Sequence, residues 1–137
     1  MVIKRKGVVL ITTNHNSTRK LVQLAARQMV YMRGRISVLN AALTGPPGPD
    51  TDWIRDECDA LTDLADYIDC AFDSLPHAEA QMAKFAFYID WDTPHARIPR
   101  YSQFLRWKWM NKVCEAIDAK ELEVRWQRAS TYIKEGR

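Results

Sequence analysis

The strongest constraint on this chain is a periodicity. Ile54, Cys58, Leu61, Ala65, Ile68 and Phe72 recur at spacings of 4, 3, 4, 3 and 4 residues. At about 100° of rotation per residue, these side chains share one side of an α-helix. Such a helix must bury its stripe against other elements. Asp50, Thr51 or Asp52 can cap its start. Pro76 stops it near Leu75, because proline lacks the N–H that a helix interior needs.

The remaining elements read as helices too. Asn16 or Ser17 caps a first helix that runs to about Leu43. Leu21, Leu24, Ala25, Gln28, Met32, Ile36, Leu39 and Leu43 repeat in it at three and four. Gly34 weakens the pattern by ~1 kcal/mol relative to Ala. "TGPPGPDT", residues 44–51, ends it. A shorter third helix spans His77–Trp91, with Met82, Phe85, Tyr88 and Ile89 near one face. "DTPHARIP" is the next loop. Ser102 caps a long last helix reaching about Tyr132, apolar on two sides. One stripe is Leu105, Trp109, Val113, Ala116 and Ile117; the other is Phe104, Trp107, Asn111 and Cys114. The phase slips before Leu122, which marks Asp118 as the place for a break or kink. The expectation is an all-α fold: a single-domain antiparallel helical bundle of about four helices over residues 16–137. A basic arm, residues 1–15, precedes it, flexible or with a short strand at Val8–Thr13. The 137 residues fit one domain, and 47% hydrophobic residues with five Trp supply its core.

Three cysteines, Cys58, Cys70 and Cys114, cannot all pair internally, and none forms a CxxC. They read as buried free thiols in a reducing cytosol. The start, "KRKGVVLITT", is too short in its apolar part for a signal peptide. No apolar run reaches the ~20 residues that cross a bilayer. A soluble, cytoplasmic protein is expected.

Charge is sharply segregated behind a net of +3. Residues 1–40 hold eight basic side chains and no acid. Residues 41–92 hold two basic and twelve acidic ones, and residues 93–137 hold ten and five. Within the second helix, Asp52, Asp56, Asp59, Asp63, Asp66, Asp69 and Asp73 form a column opposite the apolar stripe. Their six successive contacts each cost about 0.2–0.5 kcal/mol. Burial of Ile54, Leu61, Ile68 and Phe72, at ~1.5–3 kcal/mol each, outweighs this.

Three readings of the column stand. It is a solvated face. Or the basic first or last helix neutralises it, although the Asp face points away from the core. Or it is a partner-binding surface: carboxylates about 5–6 Å apart are spaced much like phosphates. In the third reading the acidic helix binds a basic, nucleic-acid-binding surface of a protein partner. Some phage-encoded anti-restriction and anti-CRISPR inhibitors use this strategy of nucleic-acid mimicry.

A second surface is basic and aromatic. "RIPRYSQFLRWKWMNK" interleaves Arg97, Arg100, Arg106, Lys108 and Lys112 with Tyr101, Phe104, Trp107 and Trp109. Together with Lys4, Arg5 and Lys6 of the arm, it is the alternative site, for nucleic acid. Trp107 and Trp109 point about 200° apart on a helix, so at least one belongs to the core. Burial of these aromatics is the plainer reading of the segment. Charge-driven self-association, acidic helix to basic arm, is a further expectation.

Catalytic signatures do not occur. His15, His77 and His95 lie far apart and without Cys at zinc spacing. No HExxH, Walker, Rossmann or GxSxG pattern is present. "DTDWIRDECDAL" has Trp and Ile where a calcium loop needs polar residues and Gly. No cofactor or metal is expected. The sequence therefore points to a small non-enzymatic interaction protein: an inhibitor acting through the acidic helix, or alternatively a nucleic-acid-binding regulator.

Overall fold

The structure, a computed structural model, describes residues 17–92 and 100–135. For residues 92, 100–102, 134 and 135 it describes the backbone alone. The arm with Lys4, Arg5 and Lys6, the His15 and His95 positions, and Arg97 lie outside the described residues.

The described residues are all-helical, with no strand. They form six α-helices rather than about four: α1 (17–27), α2 (Met29–Leu43), α3 (Thr51–Phe72), α4 (His77–Lys84), α5 (Arg100–Glu115) and α6 (Ala119–Glu135). The extra helices come from interruptions inside expected ones. A single turn residue, Gln28, separates α1 from α2, and the Met32 amide still bonds the Gln28 carbonyl at 2.8 Å. The buried face runs on across it, through Val22, Ala25, Met29, Met32, Ile36 and Leu39. Leu24, expected in that stripe, is exposed.

The expected break at Asp118 is present. The Asp118 carboxylate accepts the Lys120 and Glu121 amides at 2.9 and 3.1 Å, capping α6. Tyr67 on α3 anchors the same corner: its hydroxyl accepts the Asp118 amide at 2.9 Å.

α3 lies at the centre. It packs against α2 and α6, and more lightly against α4 and α5. Asn40 meets Cys58, and Arg33 meets Asp66, so α2 and α3 run antiparallel. Tyr67 meets Asp118, and Asp63 meets Arg125, so α6 is antiparallel to α3 as well. Leu61, Leu64, Ile68 and Phe72 are completely enclosed, with Met32, Met110 and Leu122 from the neighbours. One core cluster draws on all six helices.

The third expected helix departs most from expectation. After α4 the chain widens into a π-helical turn, Phe85–Ile89, and then a 3-10 turn, Asp90–Asp92. Ala80, Ala83, Ala86 and Phe87 face the core. Met82, Phe85 and Ile89, read as the apolar face, are half exposed or more, and Tyr88 is only partly buried. The helix has two apolar faces. The small-residue one packs inward because alanines let two backbones approach closely. The extra residue of the wide turn then aims Phe87 and Tyr88 at Phe72, with ring centroids 5.9 and 5.1 Å away.

Candidate functional site

The column of seven Asp divides into two halves. Asp63, Asp66, Asp69 and Asp73 are engaged by cations from neighbouring elements. Arg33 of α2 donates to Asp66 at 3.0 Å and also to Asp69. Lys84 at the end of α4 pairs with Asp73 at 2.8 Å and Asp69 at 3.7 Å. The Tyr88 hydroxyl donates to Asp69 at 2.7 Å. On the other flank, Arg125 of α6 bonds Asp63 at 3.1 Å, with Arg128 at 3.9 Å. Arg125 also stacks over the Tyr67 ring, 4.4 Å from its centroid.

The Asp face, expected to point away from the core, does not do so in its second half, and the basic helices reach it there. The spacing explains why. Two successive steps of three, Asp63 to Asp66 to Asp69, each turn the column about 60° the same way. Asp69 therefore reaches the border of the buried face, and its side chain is only 25% exposed. α2 and α6 flank α3 on both sides, so their long side chains reach over. The sequence signal was the double three-step, which an averaged wheel hides.

The network shifts its members. Partial burial opposes the charge on Arg33, but the bonds and charges of Asp69 and Asp66 outweigh it and raise the guanidinium pKa. Burial, followed by the bond to Asp69 and the charges of Asp69 and Asp73, raises the Tyr88 phenol well above its ordinary value. Tyr88 is held as a neutral donor.

Asp52, Asp56 and Asp59 remain exposed. Among the described residues, the one cation near them is Arg55 of the same helix, 3.4 Å from Asp52. Trp53 stands exposed beside them.

The basic and aromatic segment also divides. Trp109 is buried and donates its indole N–H to Glu79 at 3.0 Å. Arg106 turns inward: it lies over the Phe87 ring, 5.5 Å from its centroid, and reaches Asp90 at 3.6 Å. Arg100 opens α5, with backbone alone described. Phe104 and Trp107, in contrast, are 62% and 57% exposed. Their ring centroids are 6.2 Å apart with 30° between the planes. Lys108 and Lys112 are exposed on the same helix. Arg19 of α1 donates to Asn111, between them along the chain, and adds positive charge. The burial expected of these aromatics therefore applies to Trp109 and not to Trp107 or Phe104.

No protein-family model, curated protein or solved structure matches this chain.

Two further features escaped the sequence reading. Glu57 lies on the apolar side of α3, only 2% exposed, and receives both Nε and Nη2 of Arg35, at 2.8 and 3.1 Å. A shallow cavity of about 310 Å³ lies between α2 and the wide turn, walled by Met29, Val30 and Ile89 above the Arg33–Asp69–Tyr88 cluster. Among the described residues, no group of three His, Cys, Asp or Glu could hold a metal ion. No described helix is long and apolar enough to cross a membrane.

Proposed function

We propose that this chain acts by binding, and that the exposed face of α5 holds single-stranded nucleic acid. One observation carries the reading: Phe104 and Trp107 are exposed as a close ring pair beside Lys108 and Lys112. A contiguous exposed apolar patch rimmed by polar residues marks an interaction site, and these two adjoining rings beside lysines are of that kind. Bases of any sequence stack on such rings, at about 1–3 kcal/mol per base. The lysines supply phosphate contacts through counterion release. Of the nucleic-acid residues named from the sequence, Lys108 and Lys112 carry this reading; Arg106 is engaged elsewhere.

Fluorescence anisotropy with a labelled single-stranded oligonucleotide tests it. Binding should weaken steeply with salt. Trp107→Ala should cost roughly 5- to 150-fold in affinity, the equivalent of 1–3 kcal/mol. Replacing Lys108 and Lys112 by Ala should flatten the log–log salt slope by about 1.4. No binding at low salt would sink the reading.

A second reading keeps the acidic helix, narrowed to its first half. Asp52, Asp56 and Asp59 receive no cation from another element among the described residues. They supply the carboxylates for a basic, nucleic-acid-binding surface of a protein partner. Asp63, Asp66, Asp69 and Asp73 then serve the fold instead. Changing Asp52, Asp56 and Asp59 together to Asn should abolish capture of that partner in pull-down mass spectrometry. Capture that persists in the triple variant removes this reading.

A further inference from the structure

The stripe of α4 and the wide turn has an unusual composition. Ala78, Met82, Phe85 and Ile89 follow one another at 4, 3 and 4 residues, and all are exposed. Gln81 lies alongside, also exposed. Among the described residues of the segment, no charged side chain projects from the stripe itself; Arg33 of α2 borders it beside Val30 and Ile89 and is held by Asp66 and Asp69. Glu79 turns away to bond the Trp109 indole. Lys84 turns away to Asp69 and Asp73. Tyr88 turns away to Asp69, and the segment's other ionisable groups sit at opposite ends: exposed His77 at the start and Asp90 at the finish.

We infer that this stripe is the interface for a second copy of the chain, packed antiparallel about a two-fold axis. An isologous contact sets a surface against itself, so any charge in its middle would meet a like charge. This middle has none. The register follows from matching sizes. Met82 of one copy lies against Phe85 of the other, and small Ala78 lies against large Ile89. The same register sets His77 of one copy opposite Asp90 of the other, where an imidazole N–H can donate to the carboxylate. Large and small side chains alternate across the contact, as helix packing requires.

The area is adequate. Half-exposed Met82, Phe85 and Ile89, with Ala78, Gln81 and neighbouring Val30, present at most about 500 Å² per copy, at roughly 100 Å² for each half-exposed large side chain. Two copies then bury up to about 1,000 Å², the lower bound for a specific interface. This contact differs from a charge-driven one between acidic helix and basic arm, because it is apolar and keeps its strength in high salt.

Sedimentation velocity of the full chain over a range of micromolar concentrations tests the inference. The wild type should pass from monomer to dimer, doubling in mass, with little effect of salt. Phe85→Glu and Met82→Lys should each stay monomeric, with circular dichroism confirming intact helices. The double variant Met82→Glu with Phe85→Lys should dimerise again, because position 82 meets position 85 twice. A wild type that is monomeric throughout overturns the inference. So does a dimer that survives Phe85→Glu, or a double variant that does not recover.

Discussion

Glu57 is the one buried charged side chain among the described residues. Its cost is met by Arg35, whose fork covers both carboxylate oxygens. The two partners are unequally placed, because Arg35 is about one-third exposed while Glu57 is enclosed. Arg35→Ala leaves a bare carboxylate inside the core and should cost about 3 kcal/mol. Glu57→Leu leaves an arginine that can turn to water, and should cost less. Urea denaturation of the two variants gives the order, and the reverse order would show that Glu57 does not depend on Arg35. The cysteines separate similarly. Cys70 is exposed, against the expectation of three buried thiols, while Cys58 and Cys114 are buried. Burial pushes the Cys114 thiol up, against the opposing charge of Arg19. A native-state thiol titration should therefore show one fast group and two slow ones, with Cys70→Ser removing the fast one.

At the scale of the element, α3 is both the best-read and the most misread part of the chain. Its span, apolar stripe and stop before Pro76 were all legible, because one amphipathic period over 22 residues leaves little choice. Its acidic side was legible as a column but not as a set of ion pairs. Those depend on which helices flank it, and that is long-range information. The expected consequence is a split among chemically equal substitutions. Asp59→Asn should be neutral or slightly stabilising, since it removes like-charge contacts from an exposed site. Asp69→Asn should destabilise by about 1–2 kcal/mol, because Arg33, Lys84 and Tyr88 all converge on that carboxylate. Thermal melts of the pair decide it; equal effects would mean the network contributes nothing. Tyr88 adds a pH dependence. Its folded pKa lies above the ordinary value, which is about 10. Its contribution is therefore complete below pH ~10 and is lost as pH rises beyond it. The urea midpoint should fall between pH 8 and pH 11, and fall less in Tyr88→Phe.

At the scale of the molecule, segregated charge becomes mixed charge. The described residues of the basic first and last segments pack on the two sides of α3, as Arg33 and Arg125 on its flanks show. Local fields largely cancel there, and the first half of α3 keeps its charge. One core shared by six helices also predicts one cooperative transition. Helical ellipticity and tryptophan emission should be lost at the same denaturant concentration; two separate midpoints would mean two independent units. The all-helical class was legible in the sequence, as was the corner at Asp118. The orientation of α4 was not, since both its faces are apolar and only the closeness of α3 chooses between them.

The wide turn at Phe85–Ile89 gives the chain a spare residue at a defined place. Deleting Ala86 would return the turn to ordinary α-helical winding. Because such a turn absorbs one extra residue within itself, the helix before it and the residues after it would keep their places. The bond from Tyr88 to Asp69 lies at its far end and would be kept. The wide turn is thus a position where the chain can lose a codon while the surfaces on either side of it stay as they are.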